Sequence, residues 1–145
     1  MKRKLQLFLT LIFTVIVFAF SACQKDTGKI QAKVVESSES KVIIRVDETD
    51  GNASLYEVMC ALKEQGALNF VSENSTYGQS IVSINGVENP SDWSYFWASY
   101  TTDSENGSTA KTVDGVEWYY AMAGISALKV KVGHSYMFAY EQSSF

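Results

Sequence analysis

One amphipathic helix lying on a mixed β-sheet, an α+β domain, is what three observations on this 145-residue chain predict. Two alternating apolar runs, residues 30–34 and 42–46, flank a polar connection and read as a hairpin. One strong helix signal follows, opened by Ser54 and closed by Gly66. After it, every segment has strand composition, cut into short pieces by Gly and Asn. A hairpin, a helix and then further strands is the layout of the β-grasp (ubiquitin-like) architecture.

In the first run Ile30, Ala32 and Val34 alternate with Gln31 and Lys33; in the second Val42, Ile44 and Val46 alternate with Ile43 and Arg45. That period of two marks strands with one face buried. Ser37-Ser38-Glu39-Ser40 is the turn between them, and residues 47–53, with Asp50-Gly51-Asn52, form a loop. Ser54-Leu55-Tyr56-Glu57 is a capping box, in which serine and glutamate each satisfy a free backbone N–H at a helix start. Leu55, Val58, Met59 and Leu62 fall on one helical stripe. Gly66 supplies the left-handed stop after Gln65. Cys60 stands beside the stripe and reads as a small packed hydrophobe.

Beyond the helix, Phe70-Val71 is a short run and residues 78–84 form a strand ending in the turn Asn85-Gly86. The sole proline, Pro90, lies in the loop before an aromatic strand over residues 93–101. Residues 102–115, rich in Asp, Ser, Asn and Gly, read as a long polar hairpin connection. Strands are expected over residues 116–123, 128–132 and 136–140, separated at Gly124 and Gly133.

The N-terminus carries its own signal. Lys2, Arg3 and Lys4 precede an apolar run over residues 5–20, followed by the small residues Ser21 and Ala22. This is the order of a secretory signal peptide. Phe20-Ser21-Ala22-Cys23 resembles the lipobox of bacterial lipoproteins, with Phe20 where Leu, Val or Ile is usual. The resemblance implies a signal over residues 1–22, lipidation of Cys23, a polar tether to residue 29 and a domain over residues 30–145. An uncleaved anchor and a plain secretory signal are the other readings of the segment. All three place the domain outside the cytoplasm, and the first makes the lipid bilayer a partner through Cys23.

Without Lys2, Arg3 and Lys4 the formal charge goes from −4 to −7. An acidic domain has no electrostatic footprint for nucleic acid. With Cys23 committed to lipid, Cys60 has no partner for an intradomain disulfide.

Catalytic chemistry finds little support. His134, the only histidine, sits beside Gly133 in an expected turn. No Gly-rich phosphate loop follows a strand, and Cys60 with His134 falls short of a four-ligand zinc site. Asp47, Glu48 and Asp50 lack the ligand pattern of a calcium loop. The expectation is a protein that is not an enzyme and has neither metal nor cofactor.

Aromatics are abundant. Alternation places Trp93, Tyr95 and Trp97 on one face of their strand and Phe96 and Tyr100 on the other; Trp118 and Tyr120 oppose Tyr119. Aromatics on both faces exceed what a sheet covered on one side requires. They mark either a binding surface or a second buried layer, such as the long hairpin folding back.

The second half of the chain resembles a known family. Residues 76–86, Thr-Tyr-Gly-Gln-Ser-Ile-Val-Ser-Ile-Asn-Gly, are similar to the "yG-x-x-i-x-s-I-n-G" segment of the DUF4430 family. That family includes the C-terminal β-domain of the cobalamin carriers intrinsic factor and transcobalamin. The aromatic run from Trp93 to Tyr100 is similar to its next strand, Gly124 to Gly133 to its "G-i-x-x-y-x-v-x-x-G" turn, and Tyr136 to Tyr140 to its closing strand. Tyr100-Thr101-Thr102-Asp103 stands where the family often has "Y-v-N-G", and residues 104–110 are longer than a tight hairpin needs.

The resemblance implies a β-grasp fold close to the soluble-ligand-binding (SLBB-like) modules, on a surface protein. It implies a small-molecule ligand, with a corrinoid as the specific candidate, and delivery to a membrane transporter as the use. The matching positions bring Tyr77, Gly78, Trp93, Tyr95, Gly124 and Ile125 forward as candidate ligand contacts. A surface module binding protein or glycan through the same aromatics is the alternative.

Overall fold

A computed structural model describes residues 29–144. The signal, Cys23 and most of the tether lie outside them. Among the described residues nine strands, one α-helix and one 3-10 turn make an α+β domain. In chain order these are β1 (Gln31–Ser37), β2 (Lys41–Glu48), α1 (Leu55–Glu64), β3 (Phe70–Ser75), β4 (Gly78–Ile84), β5 (Val87–Glu88), β6 (Tyr95–Thr101), the 3-10 turn (Ser104–Asn106), β7 (Gly107–Val113), β8 (Val116–Ala121) and β9 (Ser135–Gln142).

The strands form a six-stranded sheet in the order β1-β2-β9-β6-β8-β7 and a three-stranded sheet β3-β4-β5. Where the sequence suggests a mixed sheet, each pairing between these strands is antiparallel. The cause is topological. The segment that enters β9 turns at Gly133, whose N–H donates to Val46 O (2.9 Å), so β9 starts beside the end of β2 and runs back along it.

The first hairpin and the helix follow the sequence pattern. Val42, Ile44 and Val46 of β2 point inward and are fully buried. The capping box of α1 is complete: Glu57 N–H donates to Ser54 Oγ (3.2 Å) and Ser54 N–H to Glu57 Oε2 (2.7 Å). Leu55, Val58, Met59 and Leu62 are buried, as is Cys60 beside them. Together with Phe70, Ile84, Trp97, Tyr136 and Phe138 they form the main core, between the helix and small sheet on one side and the inner face of the large sheet on the other.

Three expected elements differ. Residues 128–132 form no strand; Lys129 makes an isolated bridge to Ser54. Leu128 and Val130 are buried nonetheless, so their alternation serves a segment that crosses the helix start rather than a ladder. Trp93 precedes its strand, which begins at Tyr95. Residues 102–115 are not a connection: they contain the 3-10 turn and all of β7. The hairpin they build closes on Asp114-Gly115, both at positive φ (52° and 78°), the conformation that this dipeptide favours between two strands.

This second hairpin folds across the outer face of the large sheet. β8 meets β6 at Tyr100↔Tyr120 and Thr101↔Tyr119. Its tip nevertheless reaches β2, where Lys41 Nζ lies 2.8 Å from Asp114 Oδ2, and Lys111 pairs with Glu141 of β9. In a flat sheet β7 and β2 would be four strand spacings apart, roughly 19 Å. No lysine and aspartate span that distance, so the hairpin is curled over. Beneath it Ala98, Tyr100, Trp118 and Met137 form a second buried cluster, flanked by Ile43, Phe96, Val113 and Ala139. The surplus aromatics Tyr100 and Trp118 are therefore core of a second layer, with Phe96 packed against its edge.

Candidate ligand-binding surface

Two turns meet at one end of the small sheet. In the β3–β4 turn Ser75 Oγ accepts Tyr77 N–H (3.2 Å) and donates to Gly78 O (2.8 Å), and Tyr77 at the turn is 91% exposed. Gly78 has φ +98°, and a Cβ on it would lie 2.5 Å from Ser126 Oγ. That hydroxyl instead accepts Gln79 N–H at 2.8 Å. A Cβ on Gly124 would lie 3.8 Å from Tyr77 O. Gly78 thus stands where both the backbone angle and the close approach of the other turn exclude a side chain.

The 124–128 turn is fixed from below by the helix. The first N–H groups of an α-helix have no partner within it. Here Leu55 N–H donates to Leu128 O and Tyr56 N–H to Ile125 O, both at 2.9 Å. Ile125 is itself buried in the main core. Its side chain cannot line a surface, so of the two expected residues in this turn Gly124 remains as a surface position.

Trp93 and Tyr95 belong to a different set of contacts. The Trp93 N–H donates to Pro90 O (3.0 Å) and its carbonyl accepts the Ser143 hydroxyl. Tyr95 stacks on Tyr140, with ring centroids 5.4 Å apart and planes 20° apart. Tyr140 also lies against Trp97 at 5.2 Å and donates to Glu88 O (2.9 Å). Trp93 and Tyr95 are exposed, whereas Trp97 is buried with its indole N–H on Val87 O (2.9 Å). Ser126, Tyr140 and Ser143 complete these two surfaces without having been singled out by sequence. Tyr140 was visible only as one aromatic among many, and nothing in the sequence marks the serines.

The charged groups of the large sheet are structural. Tyr100 donates to Glu141 Oε2 (2.7 Å), and Lys111 lies 3.8 Å from the Tyr100 ring centroid. Burial, then the bond to Glu141, holds the Tyr100 phenol well above its ordinary range. Asp103 is a buried carboxylate at the far end of β6, accepting from Lys131 Nζ (2.8 Å), Asn106 Nδ2 (2.7 Å) and Glu105 N–H (3.1 Å). Burial pushes its carboxyl up, but these donors outweigh burial and leave it below the usual carboxylate value. His134 Nδ1 lies 3.2 Å from Thr102 Oγ1. Among the described residues no cluster of three or more His, Cys, Asp or Glu side chains is placed to hold a metal.

A depressed Asp103 contributes stability above the ordinary carboxylate value of about 3.9, and that contribution disappears as pH falls through the folded-state value. Asp103→Asn is therefore expected to lower stability at neutral pH and to converge with the wild type in acid. Urea melts of both proteins from about pH 7 to about pH 3 check this. A stability gap independent of pH would contradict it.

No family model matches the chain, and no curated protein matches it significantly.

Proposed function

We propose that this protein is a non-catalytic, lipid-anchored module on the outer side of a membrane that binds a small ligand at the surface where the Tyr77-Gly78 and Gly124 turns meet. The candidate ligand is a corrinoid, in keeping with the resemblance of these segments to DUF4430 domains, and delivery to a membrane transporter is the use that fits. The hairpin, the single helix laid on a sheet and the later strands support a β-grasp-related description of the fold. The observation that carries the reading is the pair of facing turns. Gly78 lies so close to Ser126 that a side chain there would collide, Gly124 stands opposite it in ordinary contact range of the Tyr77 carbonyl, and Tyr77 stands exposed beside them. An exposed aromatic beside closely approaching backbone suits an amphipathic ligand.

Cobalamin is expected to quench the intrinsic fluorescence of the full chain saturably, and Tyr77→Ala to weaken that response without loss of stability, because the ring has almost no packing to lose. Unsaturable quenching, or an unaltered affinity in Tyr77→Ala, would count against the site. Anchoring is tested separately: Cys23→Ser is expected to release the protein from the membrane fraction or leave it unprocessed. Unchanged processing and detergent-phase partitioning would refute lipidation.

A further inference from the structure

Among the described residues, three other than glycine have positive φ: Asn85 (51°), Asp114 (52°) and Trp93 (56°). The first two immediately precede glycine in hairpin turns, where Asn and Asp tolerate this conformation. Trp93 has no such excuse, since a bulky side chain in the left-handed region is strained. Four hydrogen bonds hold it there. Besides the two at its own N–H and carbonyl, Ser94 N–H donates to Asp92 Oδ1 (3.0 Å) and Ser143 N–H to Ser94 O (2.9 Å). Burial does not offset the strain, because Trp93 is 55% exposed while Trp97 is 5% and Trp118 3% exposed. A strained residue persists where its surroundings over-determine it, and such residues cluster at functional sites. What the loop accomplishes here is to hold Trp93 exposed two residues before Tyr95, whose exposed ring stacks on Tyr140.

The surrounding chemistry narrows the ligand. Residues 88–110 and 135–145 contain no Lys or Arg, so these two segments supply no cation of their own to an anion. Asp92, Gln142 and Ser143 offer hydrogen-bonding groups close in sequence to the rings. Flat aromatic faces with polar neighbours and no cation fit a neutral pyranose, whose C–H face stacks on an aromatic ring while its hydroxyls seek acceptors and donors. We propose that Trp93 and Tyr95, backed by Tyr140, form a carbohydrate-stacking platform for a neutral β-1,4-linked pyranose chain, whose equatorial linkages keep the ring faces flat and accessible. The platform is independent of the corrinoid reading, and different variants separate the two.

The test uses the full chain in a detergent without a sugar headgroup, titrated with cellohexaose and followed by tryptophan fluorescence and calorimetry. Saturable binding at millimolar sugar is expected in the wild type and in Tyr77→Ala. Trp93→Ala is expected to bind about tenfold more weakly or worse, as for loss of a stacking contact. Trp93→Gly is expected to lose binding equally while melting at a higher temperature than the wild type, because glycine removes the backbone strain. Absence of saturable binding in the wild type, full affinity in Trp93→Ala, or binding abolished by Tyr77→Ala would overturn the proposal. A Trp93→Gly protein that melts lower would overturn the strained-display argument. Displacement of the sugar by choline would reassign the platform to a cationic ligand, for which aromatic faces beside carboxylates are also suited.

Discussion

Trp97→Ala is expected to destabilise the domain by about 3–5 kcal/mol, the range for truncating a buried aromatic. Trp97 is one of the points where the two sheets are joined, Tyr140 being another. Its ring lies in the main core, its indole N–H donates to Val87 O of β5, and its backbone N–H donates to Asn89 Oδ1 (3.1 Å). Asn89 in turn donates through Nδ2 to Ile81 O (2.9 Å) in β4. Truncation leaves a cavity and a carbonyl without its donor, two costs that add. Chemical denaturation measures the sum. A loss below about 1 kcal/mol, typical of a surface substitution, would mean that the small sheet does not depend on this residue.

Trp118→Ala is expected to cost a similar amount, about 3–5 kcal/mol, through a different route. Trp118 is the largest side chain that the second hairpin places on the outer face, and with Tyr100, Ala98 and Met137 it makes the second cluster. Only a short ladder joins β8 to β6, and the tip is held by the exposed Lys41–Asp114 pair, of a kind worth about 0–1 kcal/mol. The cluster must therefore supply most of the hairpin's attachment. Its loss is expected to show first as faster amide exchange and proteolysis between residues 107 and 121, ahead of global unfolding. If exchange rose evenly over the whole domain instead, the hairpin would be part of the main cooperative unit.

The contrast among the three tryptophans shows what the sequence could convey. Local rules located the first hairpin, the capped helix with its buried stripe and the Asn85-Gly86 turn, because each rests on residues within a few positions of one another. The folded-back hairpin depends on Lys41 meeting Asp114 and Lys111 meeting Glu141, contacts between residues 73 and 30 positions apart. No periodicity encodes such pairs. Polar composition over residues 102–115 then read as loop, although Asp114-Gly115 is a hairpin turn signal and the Thr and Val beside it favour strands. Residues 128–132 erred in the other direction. Alternation reports which side chains are buried, and Leu128 and Val130 are, but it does not report whether a neighbouring strand is available.

The same limit applies to the candidate surface. The family-like motifs bring Tyr77, Gly78, Gly124 and the loop ending at Trp93 forward together. The structure brings Gly78 to the Gly124 turn through the Ser126 hydroxyl and the helix-start N–H groups that donate to that turn, and sets Trp93 among other contacts. Ile125 was misplaced because its motif position says nothing about which way the side chain points. Trp93 was expected at a strand start, and its left-handed backbone has no signature short of the structure.

Corrinoid binding at the facing turns is the central functional claim, and the colour of the ligand makes it directly measurable. The full chain, incubated with excess cobalamin and passed through gel filtration, is expected to elute with visible absorbance under the protein peak approaching one corrinoid per chain. Tyr77→Ala is expected to elute with less, and Trp93→Ala with as much as the wild type. A colourless wild-type peak, with all cobalamin in the small-molecule fraction, would contradict the account.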